Sequence, residues 1–296
     1  MSRIVDMSIT SCHTQRALRQ TASACLADGM PTMLVSVAEI KGSTPRETGT
    51  RMLVSASHVH GTIGGGHLEW QAIDLARHVL AEQLPDRRTS SWLKTYPLGP
   101  TLGQCCGGVV TLRFAPLNDA EMALWPMPQP MMHIELHGAG HVGQAIVKLL
   151  ADLDCTVRWI DTRDADEGAP GLPDAQLLAA LPDHITWLPT DSPPDEVLDA
   201  PPGACHLVLT HRHDLDLRII EAVLKRGDAA FAGLIGSQTK RAKFLHRLAD
   251  KGLRHEQLAA MVCPIGLPGL MGKEPAVIAI SVVAQLLQRH DRQSTA

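Results

Sequence analysis

The stretch HIELHGAGHVGQAIVKLL at residues 133–150 sets the architecture of the second half of the chain. A short strand comes first, a turn with glycine at positions 138, 140 and 143 follows, and a helix with an apolar face comes last. The first glycine of such a turn permits the tight bend, the second lets the backbone approach a phosphate, and the third lets helix and strand pack closely. The N-terminus of the helix adds unpaired N–H groups and the positive end of its dipole. Gly138, Gly140 and Gly143 are therefore predicted to bind a phosphorylated cofactor.

Two side chains near this turn belong to the same predicted site. Asp161 lies eighteen residues beyond Gly143, at the end of the next predicted strand, where an acidic residue normally binds a ribose hydroxyl. His141 lies inside the turn and is a further candidate, although it could also be an ordinary polar residue of the first helical turn. A glycine-rich turn that binds nothing is the alternative, but the strand, the helix and the acid all lie where a cofactor site needs them.

Strands and helices alternate after this turn. The predicted strands are 132–136, 156–160, 206–210 and 229–235, and the predicted helices are 142–151, 215–226, 239–251 and 275–289. This order predicts an α/β fold over residues 131–296, a Rossmann-like domain with a doubly wound parallel sheet and helices on both faces. The segment 165–202 is rich in proline and aspartate and indicates no clear elements.

The first half of the chain is less regular and predicts a separate, mixed α+β domain over residues 1–117. Its predicted helices are 14–28 and 68–82, its predicted strands are 32–38, 51–56, 91–98 and 109–114, and a turn is predicted at 57–61. The proline-rich segment 118–130 is predicted to be the linker between the two domains.

Length and composition narrow the function classes. A chain of 296 residues favours two domains, and 45% hydrophobic with 20% charged residues is typical of a soluble globular protein. Aromatic residues make up 3% and the net charge is −4, so a nucleic-acid partner is not expected. The N-terminal residues resemble no secretory signal and no apolar run could span a membrane. Seven scattered cysteines do not suggest a disulfide framework, so a cytoplasmic protein with reduced thiols is expected.

The peptide GQCCGG at 103–108 is the most unusual in the chain. Adjacent side chains of a strand point to opposite faces, but the flanking glycines allow a turn that presents Cys105 and Cys106 together. The spacing does not suit zinc, which favours Cys-x₂-Cys pairs. Ligation of a soft metal and transfer of sulfur as a persulfide remain as functions. The alternative is one buried structural cysteine beside a bystander.

Three further segments carry candidate residues. KGSTPR at 41–46, with Arg46, and GGGHLE at 64–69, with Gly65 and Gly66, look like anion-binding loops, although both could be ordinary turns. HRHDLD at 211–216 follows a predicted strand at the carboxyl edge of the sheet. A substrate-facing loop is the favoured interpretation there, metal binding through His211 and His213 is the weaker one, and Asp214 is a candidate helix cap.

Taken together, these blocks closely resemble the XdhC/CoxI family, the xanthine dehydrogenase accessory proteins, from about Val37 to Gln288. The blocks that carry the resemblance, in chain order, are GSTPRETGTRMLV, TIGGGHLEWQAI, GQCCGGVVTL, GAGHVGQAI, IDTR, LTHRHDLD and GLIGSQTKRAKF. One departure concerns residues 264–281, PIGLPGLMGKEPAVIAIS, since much of the family has an acidic residue and a shorter loop there.

The resemblance implies a maturation factor that binds molybdenum cofactor, supports its sulfuration and delivers it to the molybdenum-binding subunit of xanthine dehydrogenase. By motif match, Cys105 and Cys106 would contact the molybdenum or its sulfur. The glycine-rich turn and the loops at Arg46 and at Gly65 and Gly66 would be candidates for the pterin phosphate. The resemblance implies a cofactor-binding chaperone more than a turnover enzyme, and the further partners expected are a cysteine desulfurase and a second copy in a homodimer.

Two other function classes compete with this expectation. An NAD(P)-dependent oxidoreductase is favoured by the glycine-rich turn with Asp161, but it leaves the GQCCGG block without a role. A metal-dependent hydrolase built on His211 and His213 ranks last, because the sequence offers no further ligands at suitable spacing.

Overall fold

The computed structural model describes residues 9–10, 14–44, 46–82, 90–98, 108–125, 127–163, 171–270 and 272–294. Cys105 and Cys106 lie outside the described residues. Contacts divide the chain into two compact units, residues 1–128 and 129–296. Within the described residues no helix is both long and apolar enough to cross a membrane.

The first unit is built on a six-stranded sheet of order β1-β4-β3-β2-β6-β5, in which only the β1–β4 pair is parallel. Its elements are β1 Ile9–Thr10, α1 Gln15–Ala27, β2 Thr32–Lys41, β3 Arg51–Ser55, β4 Val59–Gly61, α2 Gly66–Glu82, β5 Trp92–Pro97, β6 Val109–Pro116 and α3 Asp119–Ala123.

Alternation along the central strand β2 gives this sheet two apolar faces. Met33, Val35 and Val37 belong to the core that includes α2, whereas Leu34 and Leu53 belong to the core that includes α1 and α3. Because successive side chains point to opposite faces, one buried strand supports a helical layer on each side. The predicted mixed α+β character of this half is confirmed.

Two segments of the first unit differ from the sequence-based expectation. The predicted turn at 57–61 contains the strand β4, which pairs with β3 after a tight turn in which Ser55 donates its N–H to the carbonyl of His58 at 2.9 Å. The segment predicted as a linker contains α3, capped by the side chain of Asn118, and it buries Met122 and Trp125. Proline richness hid these apolar anchors, which hold most of the segment to the first unit.

The second unit is an all-parallel six-stranded sheet of order β12-β11-β10-β7-β8-β9. Its strands are β7 His133–His137, β8 Thr156–Asp161, β9 Ile185–Pro189, β10 Cys205–Val208, β11 Phe231–Leu234 and β12 Met261–Val262. Its helices are α4 His141–Leu150, α5 Ala175–Ala179, α6 Pro193–Asp199, α7 His213–Arg226, α8 Gln238–Asp250, α9 His255–Ala259 and α10 Pro275–Ser294. Counted from β7, the strand order is 3-2-1-4-5-6, which is the doubly wound Rossmann arrangement.

Helices cover both faces of this sheet, as predicted. One core includes residues of α4 and α10, and the other includes residues of α6, α7 and α8. The segment 165–202, which indicated no clear elements, contains β9 together with α5 and α6. The strand order reverses between β7 and β10, and ligands of such folds bind at this point outside the carboxyl ends of the strands.

Candidate functional site

The three glycines of the turn after β7 have different surroundings. A Cβ on Gly138 would lie 2.4 Å from the carbonyl oxygen of Leu209, beside the end of β10, and Gly138 has a φ of +124°. A Cβ on Gly143 would lie 2.2 Å from the carbonyl oxygen of Gly138. Among the described residues outside its own helix and its chain neighbours, none has an atom within 4 Å of the Cβ position of Gly140. The first and third glycines therefore let main-chain segments approach closely, while the second faces open space where a ligand has room.

The N-terminus of α4 adjoins this open space. Gly140 is the N-cap residue and makes no side-chain capping hydrogen bond. His141, the first helical residue, is exposed and lines a groove between α4 and α10 together with Pro275 and Ile280. The backbone at Gly140 thus has the geometry of a phosphate-binding turn, while His141 lies at the rim of a separate apolar groove.

Asp161 ends β8 and is buried, and its carboxylate already has partners within the chain. It accepts hydrogen bonds from the N–H of Ala139 at 2.7 Å and from the N–H of Arg163 at 3.0 Å. The guanidinium of Arg163 adds hydrogen bonds at 2.9 and 3.0 Å. Burial raises the pKa of Asp161, but the hydrogen bonds and charge of Arg163 and the hydrogen bond from Ala139 outweigh burial and leave the pKa below its usual value. Asp161 therefore fixes the turn and stays ionised.

Arg163 is a site residue that the sequence analysis missed. Its side chain is one-quarter exposed and places a guanidinium beside the glycine-rich turn. An arginine near this acidic position accommodates a phosphate on the ribose in NADP-binding relatives of the fold. The signal in the sequence was the IDTR block, where the arginine follows the acid by two residues.

The LTHRHDLD and GLIGSQTKRAKF blocks meet at a buried ion pair. Asp216 is fully buried, and one of its carboxylate oxygens accepts a hydrogen bond from Lys240 Nζ at 2.6 Å. The other oxygen accepts hydrogen bonds from the N–H and hydroxyl of Thr210 at 3.0 and 2.7 Å. Lys240 also donates to the carbonyl of Ile235 at 2.8 Å. This network ties the carboxyl ends of β10 and β11 to α7 and α8.

The same geometry leaves the metal hypothesis for residues 211–216 without support. Asp214 is bound by the guanidinium of Arg212 at 2.6 Å, and Asp216 by Lys240. Among the described residues, no group of three or more His, Cys, Asp or Glu side chains could hold a metal ion. Asp214 is not the N-cap either, because α7 begins at His213 with Arg212 in that position. Both carboxylates form ion pairs within the chain. The metal-dependent hydrolase hypothesis therefore has no ligand set among the described residues.

A buried polar face lies under the turn, on the side of the sheet opposite α4. The rings of His137 and His206 stack with their centroids 5.7 Å apart, and His137 Nε2 lies 3.4 Å from His206 Nδ1. Burial lowers the pKa of His206 to about 4, and the positive charges of Arg226 and His133 contribute. Burial lowers the pKa of His137 as well. Both rings are neutral near pH 7.

We expect the stability of the second unit to fall as the pH is lowered from about 6.5 to 4. The unfolded chain protonates His206 near pH 6.5, whereas the folded protein protonates it only near pH 4, so acid favours the unfolded state across this window. The loss is on the order of 3 kcal/mol for this one residue.

Urea denaturation at pH 7.5, 6, 5 and 4.5 measures this loss of stability. His206→Gln should flatten the pH dependence, whereas the exposed His211→Gln should leave it unchanged, and parallel profiles for all three proteins would contradict the assignment.

Three sequence blocks of the first unit lie at one edge of its sheet, the edge formed by the ends of the strands and not by an outer strand. β2 ends at Lys41 and β4 ends at Gly61, while β3 begins at Arg51. Since β3 is antiparallel to both, the KGSTPR loop and the glycine-rich loop after β4 lie at the same edge. β5 ends and β6 begins at this edge too, because Pro97 pairs with Val109 and Lys41 pairs with Val109. The segment that carries Cys105 and Cys106 therefore leaves and re-enters the sheet here.

One described end of the cysteine segment, Gly108, contacts the KGSTPR loop. Gly108 accepts a hydrogen bond at its carbonyl from the N–H of Leu98 at 2.8 Å. A Cβ on Gly108 would lie 2.4 Å from the carbonyl oxygen of Ser43 and 2.8 Å from that of Lys41. Glycine is therefore required at the end of the GQCCGG block for close approach to residues 41–43. Arg46 is exposed, and its carbonyl accepts a hydrogen bond from the Thr44 hydroxyl at 3.2 Å.

The backbone N–H groups of the loop at Gly65 and Gly66 bind a carboxylate of the chain itself. Glu69 Oε2 accepts hydrogen bonds from the N–H groups of Ile63 and Gly65, both at 3.0 Å, and from the Thr62 hydroxyl at 2.5 Å. Gly65 and Gly66 have φ values of +75° and +65°, which glycine adopts without strain. Because Glu69 engages these donors, an external anion at this loop would have to use the remaining N–H groups of the α2 N-terminus.

Four of the seven cysteines are buried free thiols: Cys25, Cys155, Cys205 and Cys263. Burial raises the pKa of Cys205 to about 11 and also raises that of Cys263. A raised pKa leaves little thiolate at neutral pH, and the thiolate is the form that binds metals and attacks sulfur. These two thiols are therefore poor candidates for cofactor chemistry.

The strand order and the glycine-rich turn define the class: a Rossmann-type unit preceded by an α+β unit. Residues 134–286 match the model of the XdhC Rossmann domain, and residues 11–91 match the model of the XdhC and CoxI family. The chain belongs to this family, which confirms the resemblance found in its sequence.

Two known proteins show how far the similarity extends. The uncharacterized protein YqeB of Escherichia coli (strain K12) is 28% identical over 262 residues, covering 87% of this chain and 43% of YqeB. The chain thus spans less than half the length of that relative. A crystal structure of a xanthine dehydrogenase from Bacillus halodurans matches with a TM-score of 0.70, covering 92% of this chain and 95% of its own at 17% identity. At this identity the likeness concerns the fold alone.

Proposed function

We propose that this protein is an accessory factor for xanthine dehydrogenase that binds molybdenum cofactor, supports its sulfuration and delivers it to the enzyme. Family membership supports the accessory role. The observation that carries the cofactor assignment is the meeting of the KGSTPR loop, the glycine-rich loop and both ends of the Cys105–Cys106 segment at one edge of the first sheet.

The residues at this edge and in the glycine-rich turn fit the chemistry of such a cofactor. Thiolates are soft ligands suited to a molybdenum–sulfur centre, so Cys105 and Cys106 would hold the metal or its sulfur. Arg46 offers a guanidinium to a phosphate, and the open backbone at Gly140 offers N–H groups to one. When bound, the cofactor supplies the molybdenum centre that the target enzyme uses. The role of this chain is to bind, orient and protect it without turnover.

The proposed partners follow from this role. The molybdenum-binding subunit of xanthine dehydrogenase would receive the cofactor, and a cysteine desulfurase would supply sulfur. A homodimer remains part of the proposal.

A second candidate function is an NAD(P)-dependent oxidoreductase. The strand order of the second unit, the open Gly140 and the Asp161–Arg163 pair favour it, since an arginine at that position suits a ribose phosphate. Under this alternative the meeting of the three sequence blocks at the first sheet edge has no use, so it ranks second.

The purified protein should carry bound pterin when it is produced in a host with intact cofactor synthesis. Cys105→Ala and Cys106→Ala should each reduce the pterin content at least several-fold, because each removes a soft ligand. Gly140→Val should remove the phosphate contact of the second unit, since its side chain would fill the open space at the turn. Oxidation of the heat-released extract and fluorescence of the resulting pterin measure the content.

Controls separate ligand loss from unfolding. Cys155→Ala removes a buried thiol away from the first sheet, and circular dichroism of every variant must match the wild type. In a strain that lacks this protein, the gene for the wild type should restore xanthine oxidation, and the gene for Cys106→Ala should not. Wild-type protein that binds NAD(P) and no pterin would favour the oxidoreductase instead.

A further inference from the structure

Two sequence blocks that the proposed function does not use line a single cavity of the second unit. One is the segment between β11 and the first turn of α8, residues 235–241, and the other is formed by the described residues 261–270, 272 and 273. The cavity has a volume of ≈ 670 Å³ and lies outside the carboxyl ends of β11 and β12. Its size is in the range of small-molecule sites, and it lies beyond the point between β7 and β10 where the strand order reverses.

The walls of the cavity are held by hydrogen bonds from α10. The N–H of Leu267 donates to the Ser281 hydroxyl at 2.7 Å, and the N–H of Gly266 donates to Gln285 Oε1 at 2.8 Å. Gly266 has a φ of +107°, and a Cβ there would lie 2.5 Å from Ser281 Oγ. The loop is therefore fixed against α10, so the cavity is preformed.

The charge in this cavity is positive. Arg241 and Lys273 line it, and no carboxylate does. Within the described chain neither cation forms an ion pair, in contrast to Lys240, which Asp216 engages. Glu274, the acidic neighbour of Lys273 in sequence, lines the groove between α4 and α10, and its Oε2 lies 3.0 Å from the Cβ position of Gly272 in the cavity wall. Arg241 is half-buried and Lys273 is exposed, and together they favour an anionic ligand in this partly open cavity.

Apart from Gln238 and Ser281, the other side chains of the lining are mostly apolar and set the body of the ligand. Val262, Ile265, Leu267, Val277 and Ile278 all contribute. A free inorganic anion would leave these side chains without a partner, whereas an anion on an apolar or planar body would contact both parts.

We propose that this cavity binds an organic phosphate, with its phosphate at Arg241 and Lys273 and its body against Leu267 and Val277. The N-terminus of α8 opens into the same cavity and favours a dianion over a carboxylate. The site is separate from the turn at Gly140, because β11 lies two strands from β7, roughly 10 Å at ordinary strand spacing. The proposal goes beyond the accessory function and does not depend on it.

Calorimetric titration of the full-length protein with phenyl phosphate tests the site. We expect binding that is at least tenfold tighter than that of inorganic phosphate or benzoate. Arg241→Gln and Lys273→Gln should each weaken phenyl phosphate binding about tenfold or more, because each removes a charge-assisted hydrogen bond. Lys243→Gln, an exposed cation on the same helix outside the cavity, is the matched control and should bind as the wild type does.

A second measurement locates the ligand. Cys263 lines the cavity and is 6% exposed, and Cys205 is equally buried outside it. Phenyl phosphate should slow alkylation of Cys263 by N-ethylmaleimide and leave Cys205 unaffected, as followed by peptide mass spectrometry. Equal binding by wild type, Arg241→Gln and Lys273→Gln, or unchanged Cys263 alkylation, would overturn the proposal. Benzoate binding as tightly as phenyl phosphate would overturn the phosphate assignment. Pterin content of the same variants reports separately on the accessory function.

Discussion

Replacing Asp216 by alanine is expected to destabilise the second unit by about 3–5 kcal/mol, the cost of leaving one buried charge without its partner. Asp216 is fully buried and Lys240 nearly so, and their side chains meet at 2.6 Å. The substitution leaves the Lys240 ammonium without its carboxylate partner. It also removes the acceptor of the two hydrogen bonds that Thr210 donates to Asp216. Because these bonds join β10 and β11 to α7 and α8, hydrogen exchange at Thr210 and Ile235 should accelerate together.

A double-mutant cycle tests the cause of this loss. Asp216→Leu combined with Lys240→Met removes both charges and should cost much less than Asp216→Leu alone, since no unpaired charge remains. Asp214→Ala breaks the exposed pair with Arg212 and should change stability little. Urea denaturation measures the stability of each variant. If the effects of Asp216→Leu and Lys240→Met were additive, the ion-pair explanation would be wrong.

Gly138→Ala is the second substitution with a large expected effect. Its Cβ would come 2.4 Å from the carbonyl oxygen of Leu209, and its φ of +124° is unfavourable for any side chain. The contacted atoms are the backbone carbonyl of Leu209, which cannot rotate away, so β7 and β10 would have to separate. We expect a loss of about 3 kcal/mol or more, corresponding to a fall in melting temperature of roughly 6–12 °C for a unit of this size.

Two other glycines separate the steric from the conformational cost. Gly203 has a φ of +78° with no atom within 4 Å of its Cβ position, so Gly203→Ala should cost only about 1–2 kcal/mol of backbone strain. Gly140 combines open space with a φ of −69°, so Gly140→Ala should be close to neutral for stability. Any order of melting temperatures other than Gly138→Ala below Gly203→Ala below Gly140→Ala would contradict the role assigned to each glycine.

Local sequence patterns were sufficient for most elements of the second unit. The helix that became α7 and the strand that became β8 were predicted within about two residues, because apolar periodicity is a local property. β9 was missed, since it is only five residues long, ends in a proline and lies in a segment rich in proline and aspartate. It forms by pairing with β8, an interaction that depends on a distant part of the chain.

The candidate site shows the same division. The turn at Gly138, Gly140 and Gly143 was predicted from spacing alone, and its location at the carboxyl end of β7 is confirmed. The internal partners of two candidate groups were not predictable. Arg163 holds Asp161, and Glu69 holds the backbone around Gly65. Several carboxylates lie near enough in sequence to accept a hydrogen bond from a given N–H group. The folded structure decides which of them does so.

The sequence by itself determined the family, the Rossmann-like character of the second half and the position of the glycine-rich turn, because each rests on residue type and spacing along the chain. The tertiary structure decided which charges cancel. Asp216 and Lys240 are distant in sequence and meet only because β10 and β11 are adjacent in the sheet. The same adjacency leaves Arg241 and Lys273 unpaired at one cavity within the described chain. Electrostatic partners are set by separation in space, which a linear pattern does not encode.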